Sequence, residues 1–415
     1  MADLACAREE DFDDFEEDFE GDFRSVCEGP VDNEHDGKHY CVLHAPTKDK
    51  NLATFEGAIE KKLKDKDFDF RGVYFPGQRS LVCIFQNATF EGTVDFSYAT
   101  FEGDADFTGA TFEGDAYFYN DTFKKWADFS YATFEGEGRN FYKATFGEGA
   151  NFYYATFKGE ADFSNATFEG RTYLDNAIFK EVAKFWSLRT SSQTHLSFGS
   201  AVIEKPERLS FHSTQLRPSW FIDVDAQKFD FSDVEWFRLP DGEELKLEKE
   251  IEATEDQGFV SPSSLRKLQK ACRQLMNNAE ENRDYPPANE FHYWSMELLR
   301  KEGWRRLGLI GTLYWALSGY GERPRRAFLV LVGMGTLFAI LYVMVAGSIE
   351  HVGQAFLYSL AAMVRLTGVP AMAPLTKLLQ PSEPGLFQFL VTAEGILGPL
   401  QIALLALAVR RKVMR

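Results

Sequence analysis

The chain has 415 residues, with 63 Asp/Glu against 45 Lys/Arg, a formal net charge of −18 and 39 phenylalanines. It is too long for one ordinary core, and its composition changes sharply along its length, so several modules are expected. The acidity excludes the phosphate backbone of a nucleic acid as a partner, and five cysteines behind an acidic N-terminus without an apolar leader argue against a secreted disulfide framework.

Residues 1–66 form an acidic segment. Cys41 and His44 stand three apart in HYCVLH, a knuckle whose two side chains can reach one ion. Cys6 and Cys27 would complete a tetrahedral Cys3His set, a candidate structural zinc site with no open position for chemistry. Reduced cysteines in a weakly ordered N-terminus are the plainer alternative. Between these residues Phe12, Phe15, Phe19 and Phe23 recur at helical spacing in an acidic background, which reads as a short helix closing the end of the next module.

Residues 67–237 are repetitive. Phenylalanines stand at 85, 90, 96, 101, 107, 112, 118, 123, 129 and 134, at alternating spacings of five and six. After one interval of seven the series resumes at 141, 146, 152, 157, 163 and 168, then Leu174, Phe179 and Phe185. Side chains alternate along an extended strand, so the residue two before each phenylalanine shares its face. That residue is almost always alanine, from Ala99 to Ala183, with Asp121 and Arg139 as exceptions. A ring beside a methyl, both inward, suits a narrow coil, and the intervening Glu-Gly, Asp and Asn suit its corners. The seven-residue interval holding Arg139 predicts a bulge.

The A-x-F-x-x units resemble the pentapeptide-repeat family, in the branch alternating five- and six-residue units. The resemblance implies a right-handed quadrilateral β-helix with 22 residues per coil, serving as a rigid stalk or assembly surface. Some members of that family look like duplex DNA and bind topoisomerase, a role for which a membrane-tethered copy is badly placed. Tyr117, Tyr119, Tyr131, Tyr142, Tyr153 and Tyr154 supply outward aromatics for a cytosolic ligand, a protein partner or a subunit contact.

Residues 238–303 read as a charged loop over Glu243 to Phe259 followed by a helical coupler. Ser261-Pro262 opens one helix with an apolar stripe of Leu265, Leu268, Cys272, Leu275 and Met276. A second begins near Ala288 and carries Phe291, Trp294, Leu298 and Leu299. Residues 304–326 follow as an interfacial helix, aromatic and too short to span.

Residues 327–415 hold two apolar runs. Ala327 to Ser348 is uncharged, and Leu386 to Val409 carries only Glu394; each is long enough to cross a hydrocarbon core of roughly 30 Å. Arg323, Arg325 and Arg326 precede the first run and Arg410, Arg411, Lys412 and Arg415 follow the second, which predicts a multi-pass protein of the cell membrane with both termini cytoplasmic. Between the runs, Gln354 to Leu366 is a half-length helix ending at Thr367-Gly368-Val369-Pro370.

That order of span, half-helix, turn and span resembles the two-span ion-channel pore family. It implies a re-entrant pore helix within a two-helix transmembrane hairpin, and a homotetramer around a central pore. Arg365, Thr367, Gly368 and Val369 occupy the filter region, but a potassium filter of Thr-Val-Gly-Tyr-Gly is absent, so selectivity is not expected to be potassium-like. Glu394, costly in lipid, is expected to face a pore or pair with Arg365, or to reach water at the interface. Gly395, Gly398 and Pro399 follow it as a candidate gate hinge.

The fold expected is a multidomain membrane protein: β-helix, α-helical linker and membrane hairpin. Its expected function is a channel passing an ion through membrane lipid under control of a cytosolic repeat domain; a non-conducting, membrane-anchored scaffold is the alternative. No nucleophile-base pattern, phosphate loop or acid pair suggests an enzyme.

Overall fold

Each repeat offers two inward positions, alanine and then phenylalanine, with one outward residue between them. Stacked at strand separation, such units bury an apolar centre and turn their corners outward. A computed structural model describes residues 33–35, 38–48, 50–77, 83–138, 140–254, 262–346, 352–364 and 384–413. They fall into two units that divide between residues 260 and 261.

The first unit is a β-solenoid of about seven turns. Apart from an antiparallel pair, Asn33–His35 with Lys38–Tyr40, its short strands join in parallel ladders. One six-stranded ladder runs from Tyr74–Phe75 through Thr100–Phe101 and Thr122–Phe123 to Arg189–Thr190; another runs from Thr89–Phe90 through Thr111–Phe112 to Val202–Ile203. A five-stranded ladder runs from Ala105–Asp106 to His195–Ser197. The fourth is in two pieces, Val94–Asp95 with Ala116–Tyr117, then four strands from Ala161–Asp162 to Asp230–Ser232.

The break in that ladder falls in the turn holding the seven-residue interval. Thr100 pairs with Thr122, an offset of 22, whereas Thr122 pairs with Thr145, an offset of 23. One extra residue is thus absorbed where the fourth ladder lacks a strand, although the Phe118 N–H still reaches the Asn140 carbonyl at 2.7 Å. Arg139 itself lies outside the described residues.

Phenylalanine stacks fill the interior. Phe96, Phe118, Phe141, Phe163 and Phe185 lie one above another with centroids 5.0 to 5.1 Å apart, and Phe90, Phe112, Phe134, Phe157 and Phe179 at 4.8 to 5.1 Å. Neighbouring stacks meet edge to face, as Phe107 meets Phe118 at 5.5 Å, the arrangement that ring quadrupoles favour. At alternate corners one residue takes left-handed backbone: Asn120, Tyr131, Lys143, Tyr154, Asn165 and Asn176 all have φ between 55 and 60°. The stacked Glu-Gly corners at Gly103, Gly114, Gly136 and Gly170 need glycine for a different reason. A Cβ on Gly170, which follows Glu169, would lie 1.9 Å from the Glu148 carbonyl oxygen of the preceding turn.

Helices sit at both ends of this unit. Helix α1, Leu52–Asp65, begins at Asn51, whose side chain accepts the Thr54 N–H, and buries Phe55, Ile59 and Lys62. It precedes the repeats where the sequence had suggested a helix at Phe12 to Phe23, residues outside the described set. Helix α2, Leu247–Ala253, stands within the stretch 243–259 expected to be a loop, of which 255–259 lie outside the described residues. Leu247 and Ile251 are buried, and the fully buried Glu250 pairs with Arg217 at 2.6 Å and accepts the Ser219 N–H at 2.8 Å.

The second unit is helical: α3, Pro262–Glu281; α4, Tyr285–Glu302; α5, Trp304–Ser318; α6, Pro324–Ala346; α7, Val352–Met363; and α8, Pro384–Val413. Helices α3 and α4 pack as a pair through Leu265, Leu268, Cys272, Phe291, Trp294 and Leu298, all buried as their spacing predicts. Helix α5 breaks at Gly308, which has φ 69° and ψ 175°. Beyond the break Leu309, Ile310 and Leu313 are exposed, with Ile310 at 84%. Pro324–Val345 and Gly385–Arg410 are long and apolar enough to cross a membrane, with much of each surface unburied by the chain itself.

Candidate functional site

The apolar spans converge on one carboxylate. Tyr342, on α6, shares a face with Gly335, Phe338 and Ala339, because residues three, four and seven apart align on a helix. Ser359, on α7, lies between Ala355 and Ala362 on a small-residue face that admits close approach. Phe338, Ala339, Tyr342, Ala355 and Tyr358 form a buried cluster, with Phe387, Leu390 and Val391 of α8 packed against it. Glu394 enters beside this cluster and is fully buried, as are Tyr342 and Ser359.

Both Glu394 oxygens are engaged. The Tyr342 hydroxyl donates to Oε2, and the Ser359 hydroxyl meets Oε1. Ser359 Oγ also lies 3.0 Å from the Gly335 carbonyl oxygen, so three helices meet at a few polar atoms. Between apolar helices an ionisable group is tolerated where such partners enclose it. Among the described residues no ion pair involves Glu394; the expected partner Arg365, with Thr367, Gly368 and Val369, lies outside them.

The proposed hinge residues differ from one another. Helix α8 runs unbroken through Gly395, Gly398 and Pro399, although Pro399 cannot donate to the Gly395 carbonyl. A Cβ on Gly398 would lie 2.6 Å from Met363 Cα, so this glycine lets α7 lie against α8. A Cβ on Gly395 would meet nothing within 4 Å. Sequence reasoning missed Gln401, whose Nε2 donates to the carbonyls of Leu317 at 3.0 Å and Ala327 at 2.9 Å, tying α8 to the end of α5 and the start of α6. It also missed Tyr342, Ser359 and Gly335; their shared helical faces were the available signal.

In the first unit Cys41 and His44 are buried together. Sγ lies 3.3 Å from Nδ1, while Nε2 lies 3.0 Å from the Arg71 carbonyl and donates to it. That bond leaves the Nδ1 lone pair on the cysteine side, the second-shell arrangement typical of metal-binding histidine. Tetrahedral zinc with bonds of about 2.3 Å to sulfur and 2.0–2.1 Å to nitrogen would space these atoms by roughly 3.5 Å, so the pair fits. Among the described residues no three His, Cys, Asp or Glu gather around one point, and Cys6 and Cys27 lie outside them. Lys50 donates from Nζ to the carbonyls of Leu43 at 3.1 Å and Tyr74 at 2.7 Å, bracing the same turn; burial pushes its ammonium down to about 7.

On the solenoid surface Tyr131, Tyr153 and Tyr154 make an exposed aromatic ridge. Tyr131 stacks on Tyr154 at 5.4 Å, and Tyr153 meets Tyr154 edge-on at 4.5 Å. Tyr119 and Tyr142 stack at 5.6 Å at another corner, with the Lys143 ammonium 5.5 to 5.6 Å from both rings.

Comparison with known families bears on the solenoid alone. The model of pentapeptide repeats, in nine copies, matches residues 81–120, 96–139 and 141–187. The solenoid is built of pentapeptide repeats. The matched segments coincide with the most regular part of the pentapeptide-repeat solenoid, while its later turns, whose offsets reach 26 between Ala183 and Leu209, lie beyond them. No curated protein and no solved structure matches the chain.

Proposed function

We propose that this membrane-associated repeat protein is an ion channel, in which a homotetramer of the helical hairpin conducts and a cytosolic pentapeptide-repeat solenoid scaffolds or senses. The observation that supports it best is Glu394, held by Tyr342 and Ser359 where two span-length helices and one half-length helix meet. A purely structural anchor has little need of an ionisable group at that depth. In this reading α7 is a re-entrant helix, both termini are cytoplasmic, and selectivity is not potassium-like. The repeats coil as a right-handed, four-sided helix.

Purified full-length protein in planar bilayers tests the proposal. Currents are expected, with conductance altered in Glu394→Ala. Silence under varied voltage and ligand would favour the second reading, a non-conducting membrane-anchored scaffold, which the exposed tyrosine ridge supports. We also propose that Cys41 and His44 hold a structural zinc ion together with Cys6 and Cys27. Stoichiometric zinc in the wild type and its loss in Cys41→Ser are expected by elemental analysis; metal-free wild-type protein would exclude it.

A further inference from the structure

The contacts around Glu394 contain more oxygens to be linked than hydroxyl hydrogens to link them. Tyr342 has one hydroxyl hydrogen, directed at Glu394 Oε2. Ser359 also has one, yet its oxygen meets two others: the Gly335 carbonyl at 3.0 Å and Glu394 Oε1. A carbonyl only accepts, so the serine hydrogen belongs with Gly335 if that contact is a hydrogen bond. Oε1 must then carry a hydrogen of its own and donate it to Ser359. With an ionised carboxylate, three close oxygen contacts would share two hydrogens. Two acceptors would then face one another in a fully buried site, the situation that native cores avoid.

We propose that Glu394 Oε1 is a proton-binding site, occupied at neutral pH, whose proton completes a relay from Glu394 through Ser359 to the Gly335 carbonyl. The relay joins α8 to α7 and α7 to α6. Loss of the proton turns the serine hydrogen toward the carboxylate and releases the Gly335 bond, so protonation and helix packing are linked. The titratable groups facing the site are Tyr342 from α6 and Tyr358 from α7, whose rings lie 5.3 Å apart. Among the described residues no Lys, Arg or His forms an ion pair with Glu394 that would hold it ionised. The bound proton stands independently of conduction.

Infrared difference spectroscopy of the full chain in lipid bilayers tests this. A carboxylic-acid C=O band is expected at pH 7 in the wild type and should be absent in Glu394→Gln. The glutamine retains an N–H for Ser359, so the packing should survive. In Ser359→Ala the band should persist but move to higher frequency as its acceptor is lost. Identical wild-type and Glu394→Gln spectra in the acid C=O region overturn the proposal, as does a band that Ser359→Ala leaves unmoved. A protonated Glu394 in protein that gives silent bilayers would remove the channel and leave the proton site standing.

Discussion

The solenoid and the helical unit reach stability by opposite routes. In the solenoid one solution is repeated: the same ring stacks on the same ring about every 22 residues, and any one turn is supported by its neighbours. In the helical unit each polar contact occurs once. Among the described residues Glu394, Ser359 and Gln401 have no equivalents, and their partners lie 24 to 84 residues away. Repetition makes structure tolerant and legible, whereas singular contacts are where chemistry is placed.

The largest expected effect is in the solenoid core. Phe118 stacks on Phe96 at 5.0 Å and Phe141 at 5.1 Å, and meets Phe107 and Phe129 edge-on. Phe118→Ala should cost about 3–5 kcal/mol in urea unfolding of the solenoid. A much smaller cost would mean that neighbouring turns close the cavity. The helical counterpart is Gly398→Ala. Its new Cβ would meet Met363 backbone at 2.6 Å, so α7 must move, and a loss of about 1–3 kcal/mol is expected in thermal unfolding in detergent. Gly395→Ala, three residues earlier in open space, should instead be neutral or slightly stabilising.

Asp121 is the point at which the solenoid breaks its own rule. It occupies an alanine position and is fully buried; Oδ1 accepts the Ala99 N–H at 2.9 Å, while Oδ2 has no partner. Burial pushes its carboxyl well above the usual value. The folded state therefore keeps a proton that the unfolded chain releases above about 3.8, and stability falls as pH rises from there toward the raised folded value. Asp121→Ala should stabilise the solenoid at pH 7 by about 1–3 kcal/mol and remove that slope. Glu102 tests the opposite sign. Burial works to raise its carboxyl, but hydrogen bonds from Lys124, Lys48 and Tyr74 outweigh this and hold it down to about 2. Its contribution is present above about 4.5 and should be lost as pH falls toward about 2, a slope that Glu102→Gln flattens.

The same contrast explains what could be read in advance. Alanine before phenylalanine, at alternating five and six, dictated the solenoid interior, and the seven-residue interval located the interrupted ladder. Span lengths and the half-length helix were legible from charge and apolarity. The partners of Glu394 were not, because Tyr342 and Ser359 look like ordinary residues of apolar helices until packing brings them together. Helix α2 was hidden for a related reason. Its charged sequence reads as loop, and only Arg217 and Ser219, 31 to 33 residues away, give Glu250 a buried place.

The smallest effect expected concerns the tyrosine ridge. Tyr131 is 58% exposed and sits at φ 59°, where other turns place asparagine at 120, 165 and 176. Left-handed backbone costs an ordinary side chain roughly 1–2 kcal/mol, a penalty that asparagine largely avoids. Against that stands the stack on Tyr154 at 5.4 Å, a contact type worth about 0.5–1.5 kcal/mol. The two terms nearly cancel, so Tyr131→Asn should shift stability by less than about 0.5 kcal/mol in urea unfolding. In a Tyr154→Asn background, where no stack remains to be lost, the same substitution should stabilise by about 1 kcal/mol. A cost above about 1.5 kcal/mol for the single variant would make the ridge part of the fold. A neutral result leaves three exposed rings that the fold does not require, which is the surface the scaffold reading needs.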